Sequence, residues 1–162
     1  MITHRLIFSC LVVFCFGCAS EPPVPAPPPP VPPTTVSLQL NSEQNVNPDV
    51  SSKGAPVLLR VYELKDQTNF NGADFFALFD KEKAVLAGDL VRKQEFLLKP
   101  GEAKTLQIEP GADTRFIGFF AAFRQLDNAQ WRVIAPLMLH QTNTLILKLD
   151  NNQLAVTVQP NP

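Results

Sequence analysis

Cys15 and Cys18, in the stretch CFGC, stand at the spacing of a metal-binding or dithiol pair. Cys15, however, lies inside an apolar N-terminal run, and after Cys18 the chain has no further cysteine and one histidine, His140. A structural zinc site needs four nitrogen, sulfur or carboxylate ligands, so a metal or redox role for the pair lacks partners. The same scarcity bears on nucleophilic catalysis, because any Ser/His/Asp or Cys/His arrangement would have to use His140. A lone histidine near strand ends is ordinarily a surface or satisfied core residue. Asp74 and Asp80 could in principle work as a pair of carboxylates on a glycosidic bond, where separation and environment decide the chemistry. Their context instead puts Asp74 at the start of a helix and Asp80 at its solvated end. There is no glycine-rich phosphate loop and no metal ligand set. The chain reads as non-catalytic and free of cofactors.

Cys18 has a different use. Residues 1–5 carry His4 and Arg5, and residues 6–16 form an apolar run of 11 residues. A membrane-spanning helix needs roughly 20 such residues, whereas an export signal needs fewer. The stretch VFCFGC resembles a bacterial lipobox, with cleavage between Gly17 and Cys18 and acylation of Cys18. Cys15 stands where leucine is usual, and Phe16 is bulky where small residues are common. The competing reading is an ordinary secreted protein cut nearby. All three cysteines fall within or at the end of this segment, which leaves none for an internal disulfide.

Residues 18–33 then form a spacer, with nine prolines between Glu21 and Pro33. Such a tract prefers the polyproline helix, at about 3.1 Å per residue, and would hold a domain up to roughly 40 Å from its anchor. Ligands for aromatic grooves share this composition, but an exported, acylated chain favours the spacer. Ala19 follows the modified cysteine, where aspartate would favour inner-membrane retention, so transfer to the outer membrane is expected. Each buried methylene adds about 0.8 kcal/mol, and more than one chain makes an anchor stable.

The elements that must carry any function lie after Pro33. The chain has 162 residues, 18% charged, with a net charge of −1; this is one domain in length and lacks the dense basic face that nucleic acid requires. Nine phenylalanines after Val36 supply a core. TVSLQL alternates Val36, Leu38 and Leu40 with polar residues, the period of a half-buried strand. PVLLRVYEL sets Leu59 and Val61 against Leu58, Arg60, Tyr62 and Leu64. LVRKQEFLL runs into the turn KPGE, followed by TLQIE. RFIGFFAAFR is apolar on both faces, as in a central strand, and WRVIA, TLILKLD and LAVTV complete about eight strands. Residues 70–89 break the period of two and place Phe75, Leu78 and Phe79 on one helical face. They predict one or two short helices over a sheet edge. An all-β, antiparallel β-sandwich with a short helical insertion results, occupying residues 34–162.

The longest connection, 41–55, joins the first two strands with 15 residues. Loops of this length are usually functional or disordered. Asn47-Pro48-Asp49 suits a local turn, and Val46 and Val50 have no evident core duty. The segment is either a mobile solvated loop or a partner-binding loop centred on Asn45, Val46, Asn47, Pro48, Asp49 and Val50, with the valines as apolar anchors.

The lipobox, the proline spacer, LN ending the first strand, NPD in the loop, PVLLRVYELKD, ADFFALFD, LKPGE and FRQLDNAQWR occur in that order. Together they resemble the TssJ (VasD/Lip/SciN) family of type VI secretion outer-membrane lipoproteins, over about residues 18–158. The resemblance implies a transthyretin-like sandwich and a non-catalytic role. It implies an outer-membrane lipoprotein facing the periplasm, which binds the periplasmic C-terminal part of TssM and, with TssL, builds a trans-envelope complex. It also implies that the contact is made largely through the loop between the first two strands. A generic envelope-assembly lipoprotein, or a transthyretin-like carrier of a small ligand, is the alternative.

Overall fold

A computed structural model describes residues 28–160. Cys18, the signal segment 1–17 and most of the spacer lie outside the described residues. The chain divides between Pro30 and Val31, and among the described residues every strand and helix belongs to the unit that begins at Val31. Its elements are β1 (Thr35–Ser42), β2 (Val57–Leu64), α1 (Thr68–Gly72), α2 (Phe75–Leu86), β3 (Leu90–Leu98), β4 (Ala103–Ile108), β5 (Phe116–Ala122), β6 (Arg132–Pro136), β7 (Thr142–Asp150) and β8 (Gln153–Gln159). They form two four-stranded sheets, ordered β4-β1-β7-β8 and β3-β2-β5-β6.

Side-chain alternation builds the layer between the sheets. Val36, Leu38 and Leu40 of β1 and Leu145, Leu147 and Leu149 of β7 are fully buried and face Val57, Leu59 and Val61 of β2 and Ile117, Phe119 and Ala121 of β5. Residues i and i+2 of a strand share a face, so the intervening Ser37, Gln39, Thr144 and Ile146 point outward. The described strand pairs are antiparallel except β1–β7, which is parallel, with Leu38 opposite Leu145. Close to β8, Gln130 of the β5–β6 connection accepts from Leu154 N and donates its own N–H to Asn152 O, lacing the two sheets together.

The helices require a correction. They cover the outer face of the β3-β2-β5-β6 sheet, not its edge. Tyr62 and Leu64 of β2 and Phe120 of β5 point away from the sandwich and are fully buried beneath Phe70, Leu78 and Leu86. A sheet whose second face is this apolar must be covered, which is why β5 is buried on both sides. Asp74 accepts from Ala77 N at 2.8 Å as the N-cap of α2, so its expected helix-starting role is met. Lys81, with φ −130, kinks that helix.

Strand direction sorts the connections into two ends. The β1–β2, β3–β4, β5–β6 and β7–β8 connections share one end. The start of β1, the β4–β5 and β6–β7 connections and the end of β8 share the other, because Thr35 pairs with Thr142 and Ser42 with Leu149. The chain therefore enters the sandwich at the end opposite the 43–56 loop.

Candidate partner-binding site

The 43–56 connection is tied down along both limbs. Glu43 N donates to Leu149 O at 2.9 Å, Asn47 N to Asn151 O at 2.8 Å, and Ala55 N to Val46 O at 2.9 Å. At Gly54 the returning limb lies so close to the outgoing one that an added Cβ would sit 2.0 Å from Gln44 O. The tip is a closed turn in which Asp49 N donates to Lys53 O at 2.8 Å and Ser52 N to Asp49 O at 2.9 Å. The Asp49 carboxylate accepts from Ser51 N at 2.8 Å and Lys53 N at 3.0 Å. These backbone donors, Lys53 N first, hold the Asp49 carboxyl below its ordinary range. Asparagine and aspartate favour such turns because their side chains can bond their own backbone.

The six residues expected to form the binding centre divide. Asn45 and Val50 are exposed, Pro48 and Asp49 are half-buried, and Val50 stands completely free at 101% relative exposure. Val46 is corrected: it is fully buried and belongs to the core between the sheets, so it anchors the loop to its own protein. Asn47 is also buried, in a left-handed conformation (φ 48). Its amide donates to Pro56 O at 2.8 Å, and its Oδ1 accepts from Arg124 N at 2.8 Å. The loop is thus a hydrogen-bonded turn on a rigid base, presenting Asn45, Val50, Ser51, Ser52 and Lys53 outward. Reading along the sequence missed Arg124, Asn151 and Gly101, whose contacts with the loop come from other strand ends. Gly101 N donates to Glu43 O at 3.3 Å.

The residues first weighed for catalysis lie apart from this site. His140, at the opposite end, has N donating to Thr34 Oγ1 at 2.8 Å and Nδ1 facing Pro32 O at 3.3 Å. Asp74 is the helix cap, and Asp80 is exposed on α2. Among the described residues no three His, Cys, Asp or Glu side chains gather as metal ligands would. Among them, too, no helix is long and apolar enough to cross a membrane.

A covered β-sandwich that offers a braced surface turn presents that turn from a rigid scaffold. The model of the type VI secretion lipoprotein family (VasD, EvfM, TssJ) matches residues 34–158, and the chain belongs to this family. It is similar to the T6SS lipoprotein TssJ1 from Pseudomonas aeruginosa, at 40% identity and a TM-score of 0.78 over 81% of this chain and 100% of that one. It is also similar to Serratia marcescens Lip, a membrane-bound component of the type VI secretion system, at 27% identity and a TM-score of 0.67 over 76% and 96%. A chain in a structure described as the T6SS protein TssM C-terminal domain from EAEC matches at 25% identity and a TM-score of 0.64, over 75% and 99%. No match is found among curated proteins. The expectation of an all-β fold of two sheets with a small helical insertion is met.

Proposed function

We propose that this chain is a non-catalytic outer-membrane lipoprotein of a type VI secretion membrane complex. Acylated Cys18, exposed by removal of residues 1–17, holds it to the membrane through the 18–33 spacer. The loop at the far end of the 34–162 domain binds the periplasmic C-terminal domain of TssM and, through TssM, joins TssL and the rest of the complex. Family membership supports the secretion role. The likeness to a chain described with the TssM C-terminal domain supports the choice of partner. The observation that carries the reading is positional: the loop is braced at the end opposite the one where the chain enters. A membrane anchor at the entry leaves the loop facing the periplasm.

A small-ligand carrier would need an interior cavity, whereas the space between the sheets is filled by Leu38, Leu59, Phe119, Leu147 and their neighbours. The choice of test variant depends on how the loop is built. Shortening all of 42–54 would remove Val46 and Asn47 from the folded body. The informative variant replaces only 49–53 with a two-residue turn. It should lose TssM-domain binding while melting as the parent does, and undiminished binding would reject the loop. For the anchor, Cys18→Ser should yield exported protein without fatty-acid label, and label that persists would place the acyl group elsewhere.

A further inference from the structure

The entry end of the sandwich carries an apolar feature that neither catalysis nor partner binding has used. Met138 and Leu139 stand side by side on the β6–β7 connection at 62% and 41% exposure, with Val158 of β8 at 42% and Val31 at 67% nearby in the fold. These are four of the eight large apolar side chains exposed among the described residues, so exposure is concentrated at this end.

The loop's backbone is bound inward. Buried Asn143 accepts from Met138 N at 2.7 Å and donates to Met138 O at 2.9 Å, while Leu137 is buried in the core. The backbone N–H and carbonyl of Met138 are thereby satisfied from within, and the side chains of Met138 and Leu139 are exposed. The same loop receives the incoming chain, since Thr35 N donates to Gln141 O at 3.1 Å and Thr34 Oγ1 accepts from His140 N.

We infer that this end rests on the lipid leaflet that holds the anchor, with Met138 and Leu139 entering the headgroup–acyl boundary. The inference depends on the reading that Cys18 is acylated. What selects lipid as the occupant is where the chain leads. From Val31 only the segment back to Cys18 remains, which spans at most about 40 Å even as a polyproline helix. Two apolar side chains bind a bilayer weakly on their own. Attached to an anchored chain, they meet the leaflet at an effective concentration on the order of millimolar, where weak contact suffices. Arg115 and the Lys65–Asp113 pair at the neighbouring connections suit the polar headgroup layer. The spacer then does not hold the domain at its full length. The binding loop stands off by the height of the sandwich, about 30 Å for a nine-residue strand such as β7.

The test uses the mature, acylated protein in phosphatidylethanolamine–phosphatidylglycerol vesicles carrying a lipid-borne quencher. A fluorophore on Gln159→Cys reports the entry end, and one on Val50→Cys reports the loop. Quenching is expected at position 159 and not at 50, and it should fall to the position-50 level in a Met138→Ser/Leu139→Ser variant. That variant should keep its fatty-acid label and its melting temperature, because both side chains are exposed. Acylated protein with equal quenching at the two positions, or quenching that the double variant retains, overturns the inference and leaves the anchor intact. Protection of position 159 that arises only on adding the TssM domain assigns the patch to a protein and also overturns it. Absence of label on Cys18 fails the anchor reading and this inference together.

Discussion

Two valines four residues apart in one loop do opposite work. Val46 fills the core, and Val50 touches nothing on its own chain. Val46→Ala should therefore cost about 2 kcal/mol of stability, the order of a large-to-small core change, measured by chemical denaturation. Val50→Asp should leave stability unchanged and weaken the partner contact. Asn47 links three connections, and Asn47→Ala should cost about 2 kcal/mol because Arg124 N and Pro56 O lose their partner in a part-buried place. At this scale the sequence was only half legible. NPD announces a turn, and Asp49 makes it. Nothing near Val46 announces burial, because the residues that enclose it come from other strands.

Among the elements, the helical cover is fastened to its sheet by charged side chains as well as by apolar contact. Arg60 of β2 donates to Leu78 O and Phe79 O at 3.1 and 2.9 Å, capping the first half of α2 ahead of the Lys81 kink. Arg132 of β6 donates to Phe70 O inside α1 and to Ala73 O just after it. Glu82 of α2 reaches down to the Tyr62 hydroxyl at 2.8 Å, to Arg60 at 3.0 Å and to Lys93. Burial alone would raise the Glu82 carboxyl, but the Lys93 and Tyr62 hydrogen bonds and the charges of Arg60 and Lys93 outweigh it, so it lies below the ordinary 4.5. A carboxyl lowered in the folded state contributes stability that is present above its unfolded value and lost as pH falls through the folded one. The cover should thus loosen in acid below pH 4.5. Trp131, the single tryptophan, packs edge-on against Phe75 at 5.4 Å and Phe120 at 5.7 Å and should report it by fluorescence. Glu82→Gln should abolish that acid transition, and Asp74→Ala should cost about 1 kcal/mol through the lost cap.

These elements show where sequence reading reaches and where it stops. The period of two disclosed β1 and β2, the apolar run disclosed β5 as central, and Phe75, Leu78 and Phe79 disclosed the helix. Covering a face instead of an edge was not disclosed, although Tyr62, Leu64 and Phe120 carry the reason. Their common face appears only once β2 and β5 are paired, with Tyr62 opposite Gly118 and Arg60 opposite Phe120. The parallel β1–β7 pair joins residues about a hundred positions apart and leaves no local trace. The 49–53 turn and the Met138–Leu139 pair lie at opposite ends of the sandwich, and separated sites with no shared partners should behave additively.

For the whole molecule, the run of β1 across its sheet puts chain entry and the 43–56 loop at opposite poles, with Thr35 beside Thr142 and Ser42 beside Leu149. On the proposed reading, a tether at the entry pole and a partner at the braced turn would make the domain a strut between a membrane and that partner. That arrangement gives the central claim one direct measurement: the affinity of the mature chain for the TssM periplasmic C-terminal domain, by titration calorimetry, with and without Val50→Asp. A loss of about tenfold or more, the scale of an interface residue worth over 1 kcal/mol, with an unchanged melting curve, is the predicted result. Equal affinity for the two proteins, each fully folded, would contradict it.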